Sequence, residues 1–210
     1  MCESCVFVAG GNQIVKEDLE SEVAISRSIS GRHEGGIGRM SLRREFETLL
    51  DSGPLEEELH QFIAAHPHIL TRCVGRFGCS DLKSKVGIHK YEMDFALCQY
   101  WDSADRYEYT IVEIERSTHR LFTAKGDPSA ALTHALRQVV DWRGWIEDNL
   151  AYARKILPHI EPTPAALVII GRRASLTSYD QRRLGVLTAG LYRTRIHTFD
   201  RLLDNCVADA

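Results

Sequence analysis

The strand-like stretches YEMDFALC (91–98) and YTIVEIERS (109–117) decide the fold, and each carries acidic residues among apolar neighbours. The acids are Asp94 in the first stretch and Glu113 and Glu115 in the second. Because strand side chains alternate between two faces, Glu113 and Glu115 are predicted to share one face. If the two strands pair, Asp94 can join them in one acidic pocket. Uncompensated carboxylates resist burial, so the pattern predicts a site for a divalent cation, with Mg²⁺ or Mn²⁺ preferred by hard oxygen ligands.

Apolar periodicity predicts further helices and strands on both sides of these stretches. Residues 41–70 indicate two helices separated at Gly53-Pro54, and Asp127 is the expected N-cap of a later helix. In chain order, the remaining predicted elements are strands 82–88, 91–98 and 108–116, helix 128–148, strand 165–170, helix 178–191, strand 195–199 and a terminal helix from Asp200. This order predicts an α/β fold with a mixed central sheet flanked by helices.

The length predicts one domain, or one domain with an appendage, and the composition is ordinary for a soluble globular protein. The chain has 210 residues, of which 44% are hydrophobic and 26% charged, and a net charge of −3, so it is not a polyanion binder as a whole. Residues 1–40, which include a stretch rich in Gly, Ser and Arg, are predicted to form an N-terminal extension and linker, and 41–210 the main domain. No apolar stretch approaches the length of a membrane span, and the N-terminus is a poor signal peptide. Six scattered cysteines favour reduced thiols and a cytoplasmic location.

The chain resembles known proteins at two levels. Helix, three strands, helix and strand is the core order of the PD-(D/E)xK nuclease superfamily, and Asp94 and the triplet Glu113-Ile114-Glu115 fall at the places of its motif. More specifically, residues 55–204 resemble the nuclease domain of the Shedu anti-phage defence family. The matching stretches are EELHQFIAAHPHIL, YEMDFAL, TIVEIERS, LFTAKGDPSAALTHALRQVVDWRGWIEDN, LVIIGRR and IHTFDRLL.

The resemblance implies a metal-dependent DNA endonuclease with a restriction-endonuclease-like core. Asp94 would be the central metal ligand and Glu113 the second, and the backbone carbonyl of Ile114 could complete the coordination. Glu58 stands on the first core helix, where the superfamily often has a supporting acid. The alternative for Glu58, that it is a solvated member of an acidic run, is equally open.

The sequence departs from the family pattern at Glu115, where a lysine is usual. That lysine would orient the attacking water and offset negative charge, and Glu115 cannot supply positive charge. Glu115 can instead bind a metal or accept a proton from the water. We expect the missing positive charge to come from Lys83 or Lys85 on the preceding strand, or from Arg116.

The helix after the triplet carries a second group of candidates. Gln138 is similar to the Gln of a Gln-x-x-x-Tyr element that some superfamily branches place beside the catalytic acids. Trp142 stands one turn later, in the aromatic position, and His134 one turn earlier. We expect a catalytic role for Gln138 and a packing role for Trp145. Trp142 can equally be a core anchor, and the role of His134 stays open.

DNA and further copies of the chain are the partners that the resemblance implies, in a setting of immunity against phage or plasmid DNA. A homodimer or tetramer is expected. Basic residues predicted to position the phosphate backbone are Arg116, Arg120, Lys125, Arg172 and Arg173. One alternative is a catalytically inactive module of the same fold that binds DNA or mediates assembly. Another keeps the nuclease activity but assigns it to repair or restriction.

Overall fold

The computed structural model of the protein describes residues 35–74 and 80–206. The predicted extension over residues 1–30 lies outside the described residues. In chain order the elements are α1 (Gly35–Asp51), α2 (Glu56–Ala65), α3 (His68–Val74), β1 (Ser80–Ile88), β2 (Tyr91–Trp101), β3 (Arg106–Ile114), α4 (Ala130–Asp148), α5 (Leu150–Ile156), β4 (Ala165–Ile169), α6 (Ser178–Gly190), β5 (Thr194–His197) and α7 (Phe199–Asn205). Short 3-10 turns cover Asp102–Ala104 and Arg173–Ser175.

The five strands form one mixed sheet in the order β1-β2-β3-β4-β5. The first three strands are an antiparallel meander, in which Phe95 pairs with Val112. β4 runs parallel to β3, and β5 runs parallel to β4, so the chain must cross over between these strands. Helices α4 and α5 make the first crossover, and α6 makes the second. The predicted α/β fold with a mixed sheet flanked by helices is confirmed.

Each face of the sheet packs on its own apolar core. On one face Ile111 and Val168 pack with Trp142 and other residues of α4. On the other face Val112 and Ile114 pack with residues of α1, α2, α3 and α7. Glu113 lies between two residues of this second core, so alternation directs its side chain toward the α4 face, as the sequence predicted.

Three local features differ from the sequence predictions. The predicted linker over 31–40 is helical from Gly35 onward, where α1 begins. The N-cap of α4 is Ser129 and not Asp127: the Ser129 hydroxyl accepts a hydrogen bond from the Leu132 N–H at 3.1 Å. Pro128 is held in a β-bridge with Phe122, which keeps the chain extended up to Ser129. The short helices α3 and α5 were not predicted.

Candidate active site

Asp94 lies in the middle of β2, and only 6% of its surface is exposed. The register pairs Ser84 with Phe95 and Val86 with Met93, which sets Lys85 directly opposite Asp94. The ammonium of Lys85 donates to Asp94 Oδ1 at 2.9 Å. Although partial burial works in the opposite direction, this ion pair raises the pKa of Lys85. Lys85 has a φ of +48°, an uncommon backbone conformation for a strand residue.

The second oxygen and the backbone of Asp94 are also engaged. Asp94 Oδ2 accepts a hydrogen bond from the Ile114 N–H at 2.9 Å, which ties β2 to the end of β3. Below the strand, His60 of α2 is buried and its Nε2 lies 3.2 Å from the Asp94 carbonyl oxygen. The His60 ring also stacks on Phe95 with centroids 4.5 Å apart. Contacts from three elements therefore fix the position of the carboxylate.

Glu113 is a second buried carboxylate, with 5% of its surface exposed. Burial raises its pKa to about 9, and the charges of Asp94 and Glu115 act in the same direction. Its carboxyl group also forms a hydrogen bond with that of Asp94, which stabilises the protonated form. The two strands therefore hold a pair of carboxyl groups in contact, and the ionised form of this pair lacks sufficient positive charge around it.

Glu115 follows β3 directly and is 7% exposed. Its Oε2 lies 3.2 Å from His119 Nδ1, and its Oε1 lies 3.6 Å from Nδ1 of His134 on α4. The Glu115 N–H donates to the Ile169 carbonyl at 2.9 Å, so the residue continues the pairing with β4. The last residue of the triplet is thus a buried carboxylate between two imidazoles.

The acidic run at the start of α2 divides between two roles. The Glu58 carboxylate accepts a hydrogen bond from the Leu55 N–H at 2.7 Å, which caps the helix. Glu56 instead is partly buried near the site. Burial raises its pKa, and the charges of Asp94 and Glu115 raise it further. The charge of Glu56 is therefore coupled to the acids of the site, and that of Glu57 acts on Lys85.

The residues predicted on α4 also have separate environments. Trp142 is 1% exposed and belongs to the apolar core. Trp145 packs at the edge of the same core, which agrees with its predicted packing role. Gln138 is partly buried, and its Oε1 is buried without a hydrogen-bond partner among the described residues. The Gln138 amide therefore has an acceptor atom that a bound group could engage.

Asp94 and Glu113 fit a divalent cation by the chemistry of their donor atoms. Both are hard oxygen ligands on neighbouring strands, and burial, together with the charge of Asp94, raises the pKa of Glu113, as expected for a carboxylate pair with little compensating charge. Within residues 42–74 and 81–206, however, no three His, Cys, Asp or Glu side chains form a group arranged to hold a metal ion. The pair of Asp94 and Glu113, rather than all three predicted acids, is the part that fits a cation.

The predicted DNA-contacting residues fall into two groups. Arg116, Arg120 and Lys125 are exposed. Arg172 pairs with Asp51 at 2.9 Å and with Asp200 at 3.2 Å. Arg173 pairs with Asp204. The positive charges of Arg172 and Arg173 are therefore matched by carboxylates of the protein itself, whereas the first group is available to a ligand.

The family model described as Shedu protein SduA, C-terminal, matches residues 54–203. The chain belongs to the Shedu family. The match includes the strands and helices that carry Asp94, Glu113, Glu115 and Gln138, and Shedu membership suggests a role in anti-phage defence. No curated protein matches the chain significantly. Across the described part of the chain, no helix has the length and apolar character needed to cross a membrane.

Sequence reasoning missed three residues that contact or influence the acids of this Shedu chain. His60 lies in an amphipathic helix, where no sequence pattern distinguishes a buried histidine from an exposed one. Glu56 is the first of three consecutive glutamates, and helical periodicity alone does not show which of them the cap will use. His119 lies in a turn, four residues after Glu115, and that spacing was the one available signal.

Proposed function

We propose that this Shedu chain is a divalent-metal-dependent DNA endonuclease with a PD-(D/E)xK core. The observation that carries the proposal is the buried, mutually contacting pair of Asp94 and Glu113, with Lys85 on Asp94. Burying two neighbouring carboxylates costs free energy unless a bound cation compensates their charge. The order of elements, with the acids on the second and third strands, further supports a nuclease core.

Asp94 and Glu113 would hold the cation, Mg²⁺ or Mn²⁺, and the Ile114 carbonyl is a further candidate ligand. The chemistry that such a cation supplies is polarisation of the scissile phosphate and activation of the attacking water. The Ile114 N–H and His60 hold Asp94 in place for this role. Preorganisation of this kind reduces the cost of arranging the charges during the reaction.

Lys85 is the best candidate for the positive side-chain charge that a lysine at the third position of the triplet would otherwise provide. Its ammonium contacts Asp94, whereas the Lys83 ammonium donates to the Ile156 carbonyl at 3.3 Å and is thereby directed away. Glu115 would accept a proton from the attacking water at one of its carboxylate oxygens. His119 and His134 lie beside those oxygens and can take up or release that proton.

Cleavage of supercoiled plasmid DNA by the purified protein tests the proposal. We expect nicked or linear product with Mg²⁺ or Mn²⁺, none with EDTA, and a loss of cleavage in Glu113→Gln. Glu147→Gln, a change of an exposed glutamate on α4, is the matched control and should cleave normally. Equal cleavage by Glu113→Gln and the wild type would point to a contaminating nuclease and would overturn the proposal.

A catalytically silent module that binds DNA or mediates assembly is the second candidate. Two observations favour it: Glu115 replaces the usual lysine, and the described residues contain no ready group of three metal-binding side chains. Metal-dependent cleavage that disappears with Glu113→Gln would exclude this candidate. DNA binding without cleavage under every metal condition would support it.

The proposed biological setting is bacterial defence against phage or plasmid DNA, because the chain belongs to the Shedu family. DNA is the proposed substrate. Assembly into a dimer or tetramer is also part of the proposal, and sedimentation of the purified protein measures it directly.

A further inference from the structure

A groove of about 450 Å³ lies between the loop before α4 and helix α6. Its volume falls within the range typical of small-molecule sites. Phe122, Gly126 and Pro128 line it from the loop, and Tyr179, Arg182 and Arg183 line it from the helix. The loop leads from the Glu115 turn to the helix that carries His134, so the groove adjoins the candidate active site along the chain.

The loop side of the groove is held by its own backbone hydrogen bonds. The Thr123 N–H donates to the Asp127 carbonyl at 2.8 Å, and the Gly126 N–H donates back to the Thr123 carbonyl at 2.9 Å. Phe122 and Pro128 form a β-bridge across the base of the loop. A wall fixed in this way needs little ordering when a ligand binds.

Gly126 allows the loop to approach the arginine side of the groove. It has a φ of +90°, which favours glycine, and an added Cβ would lie 2.0 Å from the Arg183 guanidinium carbon. The absence of a side chain therefore lets the guanidinium lie flat against the loop. Arg183 is also paired with Asp180 at 3.5 Å, which keeps it in this orientation.

The helix side presents an exposed aromatic ring with two guanidinium groups close to it. Tyr179 is 54% exposed. The guanidinium carbon of Arg183 lies 4.1 Å from the ring centroid, and that of Arg182 lies 5.4 Å from it. No carboxylate of the described residues forms an ion pair with Arg182, so its charge is available to an anion.

We propose that this groove binds an unpaired nucleotide of the DNA substrate, with the base against Tyr179 and the phosphate on Arg182. The proposal rests on the proposed nuclease function and adds a subsite to it. The charge of Arg182 is complementary to a phosphate, and apolar walls with flat aromatic and guanidinium surfaces are complementary to a base. An acidic peptide would use the arginines but would leave the flat ring of Tyr179 without a partner.

Fluorescence anisotropy with labelled DNA, in EDTA and at one fixed salt concentration, tests the groove independently of cleavage. The probes are a single-stranded oligonucleotide and a blunt duplex of the same length. We expect Tyr179→Ala to weaken single-strand binding by roughly 5- to 100-fold, the range of one lost base-stacking contact. Tyr179→Phe keeps the ring and should bind as the wild type does. Tyr192→Ala, a change of another exposed tyrosine, is the matched control.

Several outcomes would overturn the proposal. The first is that Tyr179→Ala binds single strands as tightly as the wild type does. The second is that Tyr179→Ala loses as much affinity for the duplex as for the single strand. The third is that Tyr192→Ala loses as much single-strand affinity as Tyr179→Ala does. A change of oligomeric state in Tyr179→Ala, seen by sedimentation, would assign the face to a second copy of the chain instead. A protein that binds single strands through Tyr179 but cleaves no DNA would contradict the proposed nuclease function and not this groove.

Discussion

The ammonium of Lys85 and the carboxylate of Asp94 face each other across neighbouring strands, 2.9 Å apart. The triplet that begins at Glu113 ends in Glu115 and offers no positive charge of its own. The ammonium that contacts Asp94 therefore belongs to β1, across the sheet, and not to the third residue of the triplet. Lys85 and Asp94 are opposite in register, so the contact follows from the strand pairing.

Lys85→Met should lower DNA cleavage by about 100-fold, the usual cost of removing one charge-stabilising donor. Its affinity for Mn²⁺ should be equal or higher, because an ammonium that competes for Asp94 is gone. Cleavage rates and Mn²⁺ titration calorimetry measure the two effects separately. Lys83→Met is the control and should leave both unchanged. Full cleavage by Lys85→Met would show that the lysine is not part of the chemistry.

The stability of the metal-free protein should depend on pH through Glu113. Its pKa is about 9 in the folded protein, well above that of an exposed carboxyl. Between these values the folded state keeps a proton that the unfolded state has released, so Glu113 makes the free energy of unfolding fall as pH rises. Glu113→Gln stays neutral at every pH, so its free energy of unfolding should exceed that of the wild type by up to about 5 kcal/mol at pH 8 and match it near pH 4. Urea denaturation in EDTA checks this, and a difference independent of pH would contradict it.

Gln138 and Trp142 are one turn apart on α4 and should respond differently to truncation. Gln138→Ala removes a buried oxygen that has no partner among the described residues, so stability should hold while cleavage falls. Trp142→Ala empties a core position and should lower the free energy of unfolding by about 3–5 kcal/mol. Denaturation and plasmid cleavage of both variants are the measurements. An unfolded or fully active Gln138→Ala would argue against its role at the site.

Lys125 and Arg172 were both predicted to contact DNA, and their surroundings separate them. Lys125→Ala should weaken DNA binding and reduce the slope of log affinity against log salt by about 0.9, with no change in stability. Arg172→Ala breaks the ion pairs with Asp51 and Asp200, so it should cost about 1–2 kcal/mol of stability. Anisotropy at several salt concentrations and urea denaturation distinguish the two effects. Identical salt slopes for Lys125→Ala and the wild type would remove Lys125 from the interface.

Long elements with strong periodicity were predictable from the sequence. The strand predicted over 82–88 is observed as Ser80–Ile88, and the helix predicted over 178–191 as Ser178–Gly190. The N-cap of α4 was not predictable, because both Asp127 and Ser129 are residues that can cap a helix. Asp127 before Pro128 is a standard helix start, and the bridge between Phe122 and Pro128 overrides it.

Parts of the candidate site depend on contacts that a single strand or helix pattern does not contain. Alternation put Glu113 and Glu115 on one face, but it could not show that Glu115 would lie between His119 and His134. The sequence offered Lys83, Lys85 and Arg116 as sources of the missing positive charge. The pairing of β1 with β2 sets Lys85 against Asp94, and the alternation pattern of either strand alone does not fix that register.

Anomalous diffraction from a crystal soaked in Mn²⁺ tests the central claim most directly. The account predicts a peak between the carboxylates of Asp94 and Glu113 that is absent from crystals of Glu113→Gln. A saturating soak that leaves this position without a peak, with Lys85 still bound to Asp94, would contradict it.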